Sequence, residues 1–489
     1  MFAFFKCESN WQGVIALMSN IKSFVKTLND NPVLVCGLGK SGSASVNALS
    51  KAGANIIIGD DNPDNIKKFS RRKNISVLDL SSQDFSDFEF LLLSPGIPLT
   101  HPEPHDVVKK AKEAGLEIIC DIELFSRIYP DIKTIGITGT NGKSTTSALV
   151  THILKQAGKK AVLGGNIGTA VFDVEVEKDM PEWLVLEISS FQIDLCPVFR
   201  PDIAVILNLT PDHLDRHGDM DHYADVKERL IELGSLNADD STAIICSDDE
   251  HTLRIYERAK EINLRNITEV STNKKLDKGV YVEDATLFDA TDGEVKTIVD
   301  LSKFPSLKGQ HNYQNSACAY AMARNADIET AKILEGFESF PGLNHRQFLV
   351  RTINGVGYIN DSKATNAASA AMALGAQNNV YWIVGGRKKK TGLDGLEGFF
   401  PQIKHAFLIG ESTEDFADWF DKYGMEFTRC FTLENAVNKA HKMAMDNRGQ
   451  PGGAGVVLLS PACASFDQYD SFEHRGDHFA EIVNALDEE

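Results

Sequence analysis

The chain has 489 residues, too many for one hydrophobic core, and length alone suggests about three domains. Hydrophobic residues make up 43% and charged residues 24%, ordinary values for a globular chain, and no run is apolar for long enough to span a bilayer. The net charge of −19 argues against nucleic-acid binding, which needs a basic face. Any anionic ligand must therefore be drawn in by locally placed Lys, Arg, backbone N–H groups or cations.

The opening MFAFFKCESNWQGVIALM is apolar in patches but has no basic leader and no small-residue cleavage site, so it does not read as a signal peptide. The run from Met18 is a more natural start, and residues 1–17 read as an extension outside the fold. The eight cysteines are scattered, with no C-x-x-C pair, which fits reduced thiols in a cytoplasmic protein.

VLVCG (33–37), NIIIGDD (55–61) and FLLLSPG (90–96) read as buried strands, with helical spacing from Ser41 to Ala52. This is the βαβ rhythm of a parallel sheet. Gly37, Gly39 and Gly42 form a G-x-G-x-x-G after the first strand, and Asp60 ends the second. The spacing fits a dinucleotide fingerprint, so an NAD-dependent oxidoreductase is one reading. The turn by itself requires only a pyrophosphate, and a UDP group fits it equally well. SPGIPLTHP (94–102), starting with Ser94, falls at the next strand end.

A second series begins with the strand KTIGITG (133–139). TGTNGKST then opens a helix predicted from Lys143 to Ala157, with Ala148, Leu149, Ile153 and Leu154 on one face. Strand, glycine-rich loop and helix N-terminus together make a phosphate site. Gly139, Thr140, Asn141, Gly142, Lys143, Ser144 and Thr145 are thus expected to hold ATP. Lys143 would neutralise the outer phosphates, and the Ser144 hydroxyl would ligate Mg²⁺. Ile137 stands where the strict pattern has its first Gly, and the plain alternative is a Gly-rich turn with an exposed lysine. Glu187 ends the strand WLVLEIS (183–189), and His213 follows the strand IAVILNL (203–209). Both suit Mg²⁺ or Mn²⁺ when phosphates complete the shell. Singly, each is more often a cap or a structural group; their spacing after the loop raises them.

A third series runs through GVGYIND (355–361), VYWIVGG (380–386), HAFLIG (405–410) and GVVLLSP (455–461). FPGLNHR (340–346) suits a boundary, and NRGQPGGAG (447–455) reads as a flexible surface loop. The chain therefore reads as three α/β domains, 1–121, 122–341 and 342–489. NDSKATN (360–366) and SPACASFDQYDSFEHRGDHF (460–479) follow strands directly, where open α/β sheets bind ligands. Asp361, Lys363, Thr365, Ser465 and the backbone around Phe472 suit a small dicarboxylate. Ordinary turns and caps are the alternative.

GITGTNGKSTT, EISSFQ, NLTPDHLDRHGD, GQHNYQNSACAYA, GLNHRQF and NDSKATN occur together in the order of the Mur ligase family, which the chain resembles from about residue 30 onward. The resemblance implies a Rossmann-like N-terminal domain, a P-loop-type central domain with a parallel sheet and a Rossmann-like C-terminal domain. It implies an ATP-dependent ligase that forms a carbon–nitrogen bond through an acyl phosphate. The tail resembles the family member that adds D-glutamate to UDP-N-acetylmuramoyl-L-alanine in cytoplasmic peptidoglycan precursor synthesis, with no membrane insertion and a monomeric state.

By the same resemblance, catalytic roles fall to Lys143, His213, Lys227 and Asp361. Glu187 and His213 would hold a second Mg²⁺. Lys227 matches a lysine that is carbamylated in the family, although its own residues suggest only a solvated helix lysine. Asn166 would contact the muramoyl substrate, and Asn312 and Asn315 the adenine. His345, Arg346 and Asp361 would line the ATP and transfer site. D-glutamate would take Thr365, Lys389, Ser465 and Phe472, with Lys388 and Lys390 competing for the lysine's place. The Gly37–Gly42 turn, Asp60 and Ser94 would receive the uridine diphosphate. A sister ligase for a long diamino acid should show a carboxylate-and-arginine grip near Ser465, and none is found there. The oxidoreductase reading leaves the ATP loop unexplained.

Overall fold

The computed structural model describes residues 20–232, 241–262, 265–388, 392–449 and 455–487. Residues 1–17, Lys389 and the tip of the 447–455 loop lie outside the described residues. The chain divides into two compact units, Met1–Phe340 and Pro341–Glu489. The seven described cysteines carry no disulfide, and no described helix is long and apolar enough to cross a membrane.

The first unit holds two sheets. The smaller comprises β1 (Val33–Cys36), β2 (Ile56–Gly59), β3 (Ile75–Val77), β4 (Leu91–Leu93) and β5 (Ile118–Ile119), all parallel in the order β3-β2-β1-β4-β5. Every residue of β1 is buried, as a central parallel strand covered on both faces requires. The chain runs outward from β1 to β3, then returns on the other side to β4. The ends of β1 and β4 thus flank a topological switch point. The helix after β1 spans Lys40–Ala52, one residue earlier than its spacing predicts.

The larger sheet comprises β6 (Lys133–Thr138), β7 (Ala161–Gly165), β8 (Trp183–Glu187), β9 (Ile203–Ile206), β10 (Thr242–Cys246), β11 (Asn266–Ser271), β12 (Val280–Glu283), β13 (Thr286–Asp289) and β14 (Lys296–Asp300). Its order is β14-β13-β12-β11-β10-β9-β6-β8-β7, parallel from β7 to β12 and antiparallel at β13 and β14. Strand alternation divides the core. Val185 packs with Ile135, Ile137, Ile203 and Val205 under the helices Lys143–Gln156, Gln310–Asn325 and Thr330–Ser339. Leu184 and Leu186 face the opposite side, in a core continuous with that of the smaller sheet. The run of Ser316, Ala317, Ala319, Ala321 and Ala323 in the helix Gln310–Asn325 is buried. Such small side chains let it lie close over the helix Lys143–Gln156.

The second unit carries β15 (Phe348–Ile353), β16 (Val356–Asn360), β17 (Val380–Gly385), β18 (Ile403–Ile409), β19 (Phe427–Phe431) and β20 (Val456–Leu459). The order is β15-β16-β20-β17-β18-β19, with only β15 antiparallel. The strands β16 and β20 end side by side, which brings the 360–366 and 460–471 loops together.

Candidate active site

The loop 139–142 leaves the central strand β6 and enters the helix at Lys143, with no side chain capping that helix. The helix N-terminus therefore presents its first-turn N–H groups and positive dipole end. Gly142 turns the chain at φ +85°, and a side chain there would run into Asn315 Oδ1. The same Asn315 Oδ1 accepts from Thr146 Oγ1 at 3.1 Å, and Asn315 Nδ2 donates to Asn312 Oδ1 at 3.1 Å. The structure thus joins the Asn312–Asn315 pair to the loop.

The amides of Thr140 and Asn141 do not face outward as a simple phosphate cradle suggests. They donate to Asn208 O and Asn208 Oδ1, each at 2.8 Å. Asn208, which follows β9, also donates to Gln314 Oε1 at 2.7 Å. It is a brace that motif reading passes over, because a short polar residue after a strand is usually an ordinary cap. Anion binding is left to the helix end and to Lys143.

Two lysines meet on one carbonyl. Lys143 Nζ donates to Gly139 O at 2.8 Å and Thr140 O at 2.7 Å. Lys227 Nζ donates to the same Gly139 O at 3.0 Å and to Thr138 Oγ1 at 3.1 Å, and lies 4.8 Å from the centre of the Tyr223 ring. Lys227 is 1% exposed, which corrects its reading as a solvated helix lysine. Burial first, then the Lys143 ammonium, pushes its amine well below the usual lysine range, against the opposing pull of Asp212 and Glu187. Tyr223 in turn meets Thr140 Oγ1 at 3.2 Å.

Glu187 ends β8 opposite Ile137 of β6 and Gly165 of β7. Its Oε1 accepts from Asn166 Nδ2 at 2.8 Å, while its buried Oε2 has no hydrogen-bond partner. An unpartnered buried carboxylate oxygen beside a phosphate loop fits a divalent cation. Among the described residues no three His, Cys, Asp or Glu side chains converge on one point. A cation here would complete its shell with phosphate, hydroxyl and water. His213 adopts φ +53° and is half exposed, with its ring 4.9 Å from Phe191. Nearby, His217 Nε2 pairs with Ser190 Oγ at 2.9 Å, and burial together with surrounding positive groups pushes its pKa down to about 4.

A cavity of about 380 Å³ opens at the end of β1, lined by Gly37, Asp60, Asp61, Ile66, Leu78, Asp79, Ile97 and His105 among others. Gly37 turns at φ +87° against Ser94, so a side chain there would overlap Ser94. A Cβ at Gly39 would meet nothing within 4 Å, leaving the turn open to a diphosphate. Asp60 is engaged on both oxygens. Oδ2 accepts from Leu38 N at 2.5 Å, and Oδ1 from Asn62 N at 2.8 Å and Asn65 Nδ2 at 3.2 Å. It braces the turn from within, which weakens the oxidoreductase reading, where it would hold a ribose.

In the second unit, Asp361 follows β16 and is buried. Its Oδ2 accepts from Ser460 Oγ at 2.7 Å and its Oδ1 from Gln347 N at 3.1 Å. Lys363 Nζ lies 5.8 Å from the centre of the Phe472 ring, and the His345 ring meets the same Phe472 at 6.4 Å. The Lys363 N–H donates to His345 O at 2.9 Å, and Thr365 N to Lys363 O at 2.9 Å. Ser465 is buried at the head of the neighbouring loop, where its carbonyl accepts from Gln468 N and Tyr469 N. Arg346 acts on Asp361 through its charge. Sequence reading missed Arg475, 1% exposed, which clamps these loops by donating to Ser362 Oγ at 3.0 Å, Ser362 O at 2.8 Å and Cys463 O at 3.0 Å. No spacing pattern announces it, because its partners are mainly backbone carbonyls.

Burial raises the Asp361 carboxyl to about 7, against the lowering effect of Ser460, the Gln347 amide and Arg346. The folded state therefore binds this proton more tightly than the unfolded chain does. The resulting stabilisation is fully present below about pH 4 and is lost as pH rises through about 7. Asp361→Asn removes this dependence. The melting temperature of the wild type should fall relative to the variant across that window, and a constant difference would contradict the assignment.

Residues 137–323 match the family description "Mur ligase middle domain", and residues 31–120 match "Mur ligase MurD-like, N-terminal domain". The chain is 45% identical to a UDP-N-acetylmuramoylalanine–D-glutamate ligase of Rhizobium etli over 467 residues, 95% of this chain and 97% of that one. It is 44% identical to the protein of the same name from Agrobacterium fabrum, with the same coverage, and 45% identical to that of Brucella abortus, over 94% and 97%. Among solved structures, the UDP-N-acetylmuramate-alanine ligase of Thermotoga maritima aligns with a TM-score of 0.53 over 93% of this chain and 99% of that one, at 15% identity. MurF of Acinetobacter baumannii gives 0.52 over 74% and 79%, at 17% identity. At such identities these structures share the fold.

Proposed function

This chain belongs to the Mur ligase family, and from that premise we infer that it is an ATP-dependent ligase adding D-glutamate to UDP-N-acetylmuramoyl-L-alanine in peptidoglycan synthesis. The near full-length similarity to D-glutamate ligases supports the substrate pair. The single structural observation that carries the chemistry is the convergence of Lys143 and Lys227 on the Gly139 carbonyl at a capless helix N-terminus. Glu187 ends the strand next to the one that feeds this loop.

A carboxylate is a poor acceptor for an amine because its oxygen leaves badly. The alanyl carboxylate attacks the γ-phosphorus of ATP and ADP departs, giving an acyl phosphate. The D-glutamate amine then attacks the acyl carbon, and the collapse of that adduct forms the amide, loses a proton and releases phosphate. Such chemistry rests mainly on positioning and charge neutralisation. Lys143 and the helix end hold the transferring phosphoryl group, and Asn312 and Asn315 lie on the adenine side. Glu187, Ser144 and His213 would hold Mg²⁺, or Mn²⁺ in its place, which spreads the phosphate charge when bound.

Burial and the Lys143 charge favour the neutral amine of Lys227, the form that adds CO₂. Its carbamate would turn a repelling cation into a carboxylate-like ligand. Asn166 orients Glu187 on one side and meets the muramoyl part of the substrate on the other. The uridine diphosphate occupies the cavity at Gly37, Gly39, Gly42, Asp60 and Ser94. In the second unit, Lys363, Thr365, Ser465 and Phe472 surround D-glutamate, and His345, Arg346 and Asp361 complete that loop cluster. The protein works as a cytoplasmic monomer, with domains 1–121, 122–341 and 342–489 each bearing one ligand.

The test is phosphate release from ATP with UDP-N-acetylmuramoyl-L-alanine, with D-glutamate present or omitted, and with other amino acids in its place. Amide product is expected only with D-glutamate. Equal turnover with a diamino acid would transfer the chain to a sister ligase.

A further inference from the structure

His213 sits in a left-handed conformation, φ +53°, that few side-chain-bearing residues adopt. Arg216 lies in the short helix Leu214–His217, whose N-cap is His213. The main-chain N–H groups of Arg216 and His217 both donate to His213 O, at 3.0 and 3.1 Å. Arg216 is 7% exposed, and its guanidinium lies 5.3 Å from the centre of the Phe191 ring, which packs against the His213 ring at 4.9 Å. From there it reaches the segment that follows β4. Its Nη2 donates to Ile97 O at 3.0 Å, and its Nη1 reaches His101 O at 3.5 Å. Ile97 lines the cavity at the Gly37 turn, and its own N–H donates to Ser94 O at 3.0 Å.

This is a costly use of a cation. Burial depresses the guanidinium, and the carboxylates of Asp194 and Asp215 act on it only through space while its donors go to neutral carbonyls. A buried charge paired with carbonyls contributes little net stability, but its planar fork fixes geometry. The fork ties the floor of the nucleotide cavity to the turn that aims His213.

We propose that Arg216 is a positioning residue that transmits filling of the nucleotide cavity to the His213 turn, so that the transfer site is set only when the nucleotide substrate is in place. The proposal rests on the ligase reading. A substrate nucleotide pressing on Ser94 and Ile97 would shift the 94–101 loop, and Arg216 would carry that shift to residues 211–217.

Hydrogen exchange on the full chain, with and without UDP-N-acetylmuramoyl-L-alanine and with no ATP, tests it. In the wild type, added substrate should protect both 94–102 and 211–217. In Arg216→Lys, which keeps the charge but loses the fork, protection should stay within 94–102. The same variant should lose about tenfold or more in kcat while KM for ATP changes little. Phe191→Leu removes the ring beneath the guanidinium and should weaken the transmission, which keeps the test decisive if the lysine variant folds poorly. Protection that still spreads to 211–217 in both variants overturns the proposal. A wild type that makes no amide with D-glutamate overturns the ligase reading instead.

Discussion

Lys143→Ala should lower kcat about 10²–10³-fold, the usual loss when one preorganised charge facing a developing anion is removed. The melting temperature should change little. Lys143 is only half buried, and two of its bonds go to the main-chain carbonyls of Gly139 and Thr140. A charged donor contributes about 1.5–3 kcal/mol per bond when buried, and solvent at the half-exposed amine reduces that. Losing them is partly offset, because the variant removes the like charge that presses on Lys227. Steady-state kinetics with a thermal melt on the same preparation separates the two effects. Near-normal kcat would remove the phosphate loop from the mechanism.

Lys227→Met should be as damaging to turnover and should do more to the structure. Methionine fills most of the lysine volume but cannot bond to Thr138 Oγ1 or Gly139 O. It also cannot react with CO₂. Wild-type protein equilibrated with ¹³C-bicarbonate should show a protein-bound carbamate carbon by NMR, and the variant should lack it. The pH dependence has a definite sign. Carbamate needs the neutral amine, and the amine is depressed by burial and by Lys143. The signal and the activity should therefore fall together on acidification, as the amine gains its proton. An active variant, or a wild type with no such carbon, would leave Lys227 as a structural lysine.

The parts of the site that a sequence displays are those built from local patterns. The apolar run Lys133–Thr138, two glycines and a lysine at a helix start are local, and the structure forms strand, loop and helix there. Glu187 was legible because an apolar run ends on it. Lys227 was partly legible. In the helix Met220–Glu232 the buried Tyr223, Leu230 and Ile231 lie four positions before it and three and four after it, which puts Lys227 on the buried face. Its charge masked that register. Asn208, Arg216 and Arg475 were not legible, because each bonds to main-chain groups distant in sequence, and carbonyls and amides leave no trace in residue identity. Asp60 misleads in the opposite way. Its position copies a ribose ligand, yet its oxygens close on Leu38 and Asn62.

What sets this chemistry apart is that a phosphoryl group moves onto a carboxylate and not onto water or a hydroxyl. The most direct measurement uses UDP-N-acetylmuramoyl-L-alanine labelled with ¹⁸O in the alanyl carboxylate, together with ATP and D-glutamate. The released phosphate should carry one ¹⁸O for each amide formed. Unlabelled phosphate accompanying amide product would contradict the acyl-phosphate route.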